Sequence, residues 1–195
     1  MVRSRSPRGE ADELAEAVAL HKDRVFSFAL YYLGDRDQAE DVTQEVLIKL
    51  WRHWNDLEVD DLAAWLTTVT RNASFDALRR RKRAAVAPGG DEAFARMPDP
   101  RPDPAHEASG SELGARLRSA LGELAEPYRS ILILREIQQR PHQEIADTLE
   151  MPLVTVRVYA HRGRKMLREA LADVLGAERS RSETAEPPGK GSPGK

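Results

Sequence analysis

Between Gln143 and Leu167 the chain reads QEIADTLEMPLVTVRVYAHRGRKML, and basic side chains recur through its second half at Arg157, His161, Arg162, Arg164 and Lys165, with Arg168 just beyond. Guanidinium and ammonium groups repeated along one helix perform no covalent chemistry of their own. They bind phosphate oxygens and, through the planar fork of arginine, the O6 and N7 edge of guanine. The apolar residues among them set the geometry. Ile145, Ala146 and Leu149 share one face of a short helix, Pro152 interrupts, and Val156 restarts an apolar period that runs through Ala160, Leu167 and Leu171. Ala146 stands where two steeply crossed helices approach, and a larger side chain would push them apart. The spacing is that of a helix-turn-helix with a cationic second helix. An amphipathic hairpin with a solvated basic face would show the same pattern.

Residues suited to bond-making chemistry are scattered. The five histidines, His21, His53, His106, His142 and His161, have no metal-ligand spacing and no nucleophile at a pairing distance in sequence. His142 and Glu144 come nearest to a pair, and they read as the exposed start of a helix. The chain has no cysteine, which excludes disulfides, thiolate metal sites and a cysteine nucleophile. No catalytic residue, metal, cofactor or small-molecule substrate is expected. The net charge of -2 hides local segregation. Arg79, Arg80, Arg81, Lys82 and Arg83 form an uninterrupted run, whereas the segment that follows to Glu112 holds six carboxylates and only Arg96 and Arg101 as cations. Such a chain binds polyanions locally, without coating them. No apolar run approaches membrane-spanning length, and the start MVRSRSPRGEADE lacks the apolar core of a signal peptide, so a cytoplasmic protein is expected.

The elements that must carry these groups are helices throughout. The expected fold class is all-α: two small helical domains joined by a flexible linker, the C-terminal one containing the helix-turn-helix. Leu14, Val18, His21, Val25, Phe28, Ala29, Tyr32 and Leu33 repeat every three or four residues until Gly34 breaks the pattern. A second helix, capped by Asp35 or Asp37, buries Val42, Val46, Leu47, Leu50, Trp51 and Trp54 and ends near Asn55; its other face carries Glu40, Asp41, Gln44, Glu45 and Lys49. A third, capped by Asp60 or Asp61, holds Trp65, Leu66, Val69, Ala73 and Leu78 and runs into the arginine cluster. The expected boundaries are a disordered N-terminus over 1–13, a first body over 14–83, a Pro, Gly and acid-rich linker over 84–112, a second body over 113–175 and a disordered tail over 176–195. As a flexible coil the linker would span about 30 Å on average. Each body alone has a modest core.

Three ordered blocks, DRDQAEDVTQEVLIKLW, AWLTTVTRNASFDALRRRKR and LAEPYRSILILREIQQRPHQEIADTLEMPLVTVRVYAHRGRKML, resemble a bacterial RNA polymerase sigma factor of the sigma-70 family, extracytoplasmic-function (ECF) subfamily. The likeness covers about Val18 to Leu171. It implies that Asp41, Gln44 and Glu45 bind the clamp helices of the large subunit of core RNA polymerase. It implies that Trp65 and Asn72, with Arg79 and Arg80 of the basic run on phosphates, act on the minus-ten promoter element, where bases leave the stack. It implies that Leu124, Tyr128, Ile131, Leu132 and Leu134 build a supporting helix, while Thr155, Arg157, Tyr159, His161, Arg162 and Arg164 face the minus-thirty-five element. The implied partners are core RNA polymerase, promoter DNA and an anti-sigma factor, which could hold the protein at the membrane without inserting it.

The chain departs from the family pattern at four places. Thr68 stands where many members carry a basic residue. Glu150 occupies a turn position commonly given to glycine, where a left-handed backbone would cost roughly 1 kcal/mol or more. Val158 and Tyr159 replace a common Ser and Arg, so an unusual DNA sequence is expected, with valine or tyrosine set against a thymine methyl group. A freestanding helix-turn-helix regulator is the alternative function; it lacks a dimerisation helix and gives the Asp41, Gln44, Glu45 face no role. An adaptor binding acidic proteins is a third reading, one that would lack the steep salt dependence of phosphate contacts.

Overall fold

The computed structural model describes residues 7–57, 62–86 and 112–184, and all regular structure among them is helical. Three helices form the N-terminal body: α1 (Pro7–Leu33), α2 (Arg36–His53) and α3 (Leu62–Val86). Four form the C-terminal body: α4 (Glu112–Glu123), α5 (Tyr128–Leu132), α6 (His142–Thr148) and α7 (Leu153–Thr184). Gly34 ends α1 at φ 71°, a conformation glycine adopts freely, and its N–H reaches back 2.9 Å to the Leu30 carbonyl. Of the two candidate caps for α2, Asp35 serves: its carboxylate accepts from the Gln38 N–H at 3.0 Å.

The α2 core stripe is Val42, Val46 and Leu50, continued by Trp54 in the 3-10 turn that follows, spaced four residues apart and buried. Trp51 is a correction. Expected in that stripe, it is 67% exposed, because it sits about 100° around the helix from Leu50 while the stripe continues to Trp54. The helices also reach further than their expected boundaries. α1 begins at Pro7, inside the segment expected to be disordered, since proline is favoured at a first helical position and the sequence then turns to Glu, Ala and Leu. α7 continues to Thr184, past the expected limit at 175, through Ala, Glu and Arg. The caps Asp60 and Asp61, most of the expected linker (87–111) and the last residues of the tail (185–195) lie outside the described residues.

In the C-terminal body α5 is the buried element. Ile131, Leu132, Ile133 and Leu134 are all fully enclosed, and the helix passes into one π-helical turn (Ile133–Ile137) closed by the Gln138 N–H on the Ile133 carbonyl at 3.0 Å. A helix buried all round needs packing partners on every side. Here α7 lies on one side and α1 of the N-terminal body reaches the π-turn on another.

The two bodies do not have separate cores. Their buried apolar side chains form one continuous cluster, from Ala17 and Phe28 through Leu66 to Ile131 and Ala160. Polar joints cross the same boundary. Arg129, 7% exposed, lays its guanidinium 4.9 Å from the Tyr32 ring centre and donates to the carbonyls of Leu124, Gly122 and Tyr32. Arg140, 6% exposed, donates to the Thr67 hydroxyl at 2.8 Å and pairs with Glu144 at 3.2 Å. Arg71 of α3 reaches Ser130 at 3.2 Å and Glu126 at 3.7 Å, and the Gln138 amide donates to the Arg24 carbonyl at 2.8 Å. Buried guanidiniums satisfied in this way specify one arrangement, because each would be costly to leave unpaired.

Candidate nucleic-acid interface

The α6–α7 unit is built from the turn outward. Glu150 adopts φ 52°, the left-handed conformation that its position required, and the Met151 N–H then closes on the Ala146 carbonyl at 2.9 Å. Ile145 and Ala146 of α6 are buried, as are Val156 and Ala160 of α7. Gly163, which the sequence reading passed over, continues that inner line. A Cβ there would lie 3.2 Å from the Leu132 side chain, so α7 sits against α5 at a distance only glycine tolerates without displacement.

With one side of α7 held, the opposite side is fixed. Arg157, His161, Arg162 and Lys165 are exposed on it, together with Val154 and Val158. Three of the anticipated contact residues are placed differently. Tyr159 is half-buried and packs on Tyr128, with ring centres 5.1 Å apart. Arg164 leans toward Glu136 at 3.8 Å and donates to the Ala160 carbonyl at 3.3 Å. Thr155 is half-buried near the start of α7. His142, at the start of α6, also belongs to this surface: partial burial first, then the guanidiniums of Arg135, Arg157 and Arg164, hold its pKa below the ordinary imidazole value. A cation-rich environment that disfavours a further positive charge is one that attracts phosphate.

A second polar surface lies between α2 and α3. Trp65, Val69 and Asn72 of α3 face Lys49, Arg52 and His53 of α2 across an open groove of about 420 Å³, a size that accepts a small organic group such as a nucleobase. Trp65 serves both core and groove: it is half-buried, and its ring lies 6.2 Å from that of His53. Asn72 is exposed on the rim, offering a donor and an acceptor. The basic wall from α2 was not anticipated, since nothing in the sequence says which turns of the two helices meet. Further along α3, Phe75 is exposed under the Arg79 guanidinium at 5.7 Å, and Arg80 is exposed. Arg81 instead turns back to the Leu33 carbonyl at 3.5 Å. The basic run therefore splits between solvent and α1.

The outer face of α2 completes the set. Asp41 and Gln44 are exposed, Glu45 is half-buried and holds Lys49 at 2.7 Å, and Ile48 and Trp51 stand 50% and 67% exposed beside them. Two large apolar side chains within a polar stripe have the make-up of a protein-binding surface, anchors surrounded by a polar rim. Among the described residues no group of His, Cys, Asp or Glu could hold a metal ion, and no helix is long and apolar enough to cross a membrane.

Comparison with known proteins identifies the arrangement. Residues 17–84 match sigma-70 region 2 and residues 114–167 match sigma-70 region 4. The ECF RNA polymerase sigma factor SigE of Mycolicibacterium smegmatis is 36% identical over 157 residues, covering 80% of this chain and 61% of that protein. SigW of Bacillus subtilis is 27% identical over 176 residues, covering 86% and 93%. The sigma factor RpoE of Bartonella quintana, solved in complex with the anti-sigma factor NepR, superposes with a TM-score of 0.65 at 25% identity over 82% of this chain and 97% of that one. CnrH, solved with the cytosolic domain of CnrY, shares the fold at a TM-score of 0.59 and 22% identity, covering 83% and 88%. With regions 2 and 4 present in order, each on the helices that carry its polar surfaces, the chain belongs to the sigma-70 family of RNA polymerase sigma factors, in the extracytoplasmic-function branch.

Proposed function

We propose that this chain is a promoter-specificity subunit of bacterial RNA polymerase. The observation that carries the reading is the coexistence on one chain of three unlike surfaces: a polar α2 face with exposed Ile48 and Trp51, a groove at Asn72 with one basic wall, and a cationic α7 face. Asp41, Gln44 and Glu45 would meet the polymerase, with Ile48 and Trp51 as anchors. Trp65 and Asn72 would receive a base that has left the stack in the minus-ten element, and Arg79 and Arg80 would hold its phosphates. Arg157, His161 and Arg162 would enter the major groove of the minus-thirty-five element, with Arg164 and Thr155 beside them and Tyr159 positioning the helix through Tyr128. The chain itself breaks no bond. Selective binding of opened DNA shifts the equilibrium toward the melted promoter, and the polymerase performs the chemistry. A freestanding regulator would leave the α2 face and the groove without purpose. An anti-sigma protein is a further partner, by analogy with the RpoE complex, and work on the chromosome implies a cytoplasmic location.

The test is co-elution with core RNA polymerase followed by transcription from a randomised promoter library. The expected result is a holoenzyme that enriches a two-part consensus, with assembly lost in the Gln44→Ala, Glu45→Lys double variant. Failure to bind active core at moderate salt would overturn the reading.

A further inference from the structure

The sixteen residues that open α7, Leu153 to Arg168, contain five arginines or lysines, one histidine and no carboxylate. Within this cationic stretch the outward face also carries two bare aliphatic side chains: Val154 is 71% exposed and Val158 is 40% exposed. They stand one helical turn apart, with Arg157 beside them on the same stripe. Neither contributes to the core, which α7 meets through Val156, Ala160 and Gly163 on its opposite side. Of the other apolar side chains in this stretch, Tyr159 is occupied with Tyr128, and Met166, 40% exposed, lies in the fourth turn of the helix, beyond the N-terminal turns that read bases.

We infer that Val154 and Val158 are specificity-determining residues that select T·A base pairs in the upstream promoter element by packing against the thymine 5-methyl groups. This rests on the function proposed above and adds the bases recognised. The major groove is the one place on duplex DNA that pairs a dense phosphate charge with isolated methyl groups, and thymine alone among the four bases presents one there. A surface of cations interrupted by valines is complementary to that pattern. A partner protein with an apolar patch would match the valines but would be opposed by the unbroken positive charge around them. Recognition helices read bases from their N-terminal residues, and Val154, Arg157 and Val158 lie in the first two turns. The rise between the valines, about 6 Å, corresponds to roughly two base-pair steps when the helix follows the groove. The expected element therefore has two thymines about two steps apart, on either strand, with a guanine nearby for Arg157.

Deoxyuridine in place of thymidine removes the methyl group and nothing else, which makes it the probe. The holoenzyme formed by the full chain and core polymerase is first used to select the upstream element from a random library. Each thymine of the selected element is then replaced singly by deoxyuridine, and affinity is measured by competition for wild type, Val154→Ala and Val158→Ala. One or two positions should weaken wild-type binding about fourfold, the effect of one buried methyl group. Val154→Ala should be indifferent to deoxyuridine at one of these positions and Val158→Ala at the other. Both valines are solvent-exposed, so both variants should fold as wild type, which circular dichroism checks. An enriched element that tolerates deoxyuridine everywhere would overturn this assignment and leave the proposed function standing. So would alanine variants that keep full sensitivity, or that lose polymerase assembly instead, which would give the valines to a protein contact. Enrichment of no upstream element at all would overturn both readings.

Discussion

Trp51 on α2 and Trp54, three residues on at its C-cap, should respond to truncation in opposite ways. Trp54 is 7% exposed in the core, and removing it to alanine should cost about 3–5 kcal/mol of folding stability, enough to unfold much of a marginal domain. Trp51 keeps two thirds of its surface in water. A buried tryptophan covers on the order of 150–250 Å², so the third of Trp51 that packs on the fold amounts to roughly 50–80 Å². At about 25 cal/mol per Å² that is worth at most about 1–2 kcal/mol, and nearer 1 kcal/mol once the compactness of the unfolded chain is allowed for. The exposed remainder, roughly 100–170 Å², is available to a partner and sets a ceiling of about 2.5–4 kcal/mol on what docking could gain from it. If the α2 face binds polymerase with Trp51 as an anchor, Trp51→Ala should weaken core binding by at least about 2 kcal/mol, thirtyfold, while the melting temperature falls only a few degrees. The assay is competition for core polymerase against a fluorescently labelled wild-type chain, with a thermal melt on the same sample. A Trp51→Ala variant that binds within threefold of wild type would remove Trp51 from the interface. A melt as damaged as that of Trp54→Ala would refute its placement on the surface.

Three other outcomes are expected. Glu150→Gly should raise stability by about 0.5–1 kcal/mol, because relieving a left-handed non-glycine residue returns about 1 kcal/mol or more while the freer unfolded chain takes back part of it; a lowered melting temperature would contradict the φ of 52°. Arg71→Glu sets a carboxylate against Glu126, so the joint between the two bodies should loosen and the scattering radius of gyration should rise, with Glu126→Arg restoring it in the double variant; an unchanged radius in the single variant would exclude the joint in solution. His21 lies where α1 meets Gln138 and Arg140, and burial followed by the charges of Arg24 and Arg140 lowers its pKa from 6.5. The folded state then takes up fewer protons than the unfolded one, so stability should decline as pH falls from about 7 through the lowered value, and His21→Gln should flatten that slope in urea titrations.

Most of the α2 core stripe, a cap at Asp35 or Asp37 and the break at Gly34 were legible in the sequence, because each depends on neighbours within a turn or two of helix; the left-handed turn at Glu150 was legible through the family resemblance, which commonly sets glycine there. Trp51 was misread for a related reason. With Leu47, Leu50, Trp51 and Trp54 all large and apolar, the pattern permits a wider stripe than the one the fold uses, and only the position of α3 decides which side is covered. Long-range juxtaposition was not legible. Arg129 and Arg140 carry no local sign of burial, yet they are buried, because their partners Tyr32 and Thr67 lie about a hundred and about seventy residues away. The same holds for the Lys49, Arg52 and His53 wall of the groove. Gly163 did leave a signal, a glycine seven residues after Val156 in a helix that has no turn to make there, and that spacing points to a close approach. The proposed functional surfaces rest mainly on the family resemblance, since an exposed polar helix face such as Asp41, Gln44 and Glu45 carries no physical mark of a partner until Ile48 and Trp51 are seen standing out beside it.

The closed joint must also be reconciled with the proposed function, in which one chain serves two promoter elements at once. Elements centred ten and thirty-five base pairs upstream are separated by roughly 85 Å of duplex, whereas about 150 residues packed as one body measure only about 40 Å across. In the proposed function, the Asn72 groove and the Arg157 face would therefore reach both elements only with the two bodies parted. The chemistry of the joint suits release. Beside the shared apolar cluster it holds guanidiniums on the Tyr32 carbonyl and ring and on the Thr67 and Ser130 hydroxyls, and burial holds the pKa of both Arg129 and Arg140 down, a sign that water would solvate their charge better than the joint does. Opening returns that solvation while giving up shared apolar contact, so the two terms offset each other as they do in the polar interfaces between domains that move. A joint of fully apolar side chains would have given a more stable chain and one unable to span its promoter. Under the proposed function the buried arginines of α5 and of the π-turn exit, which specify the closed arrangement, would yield it where polymerase and DNA supply new partners for each body.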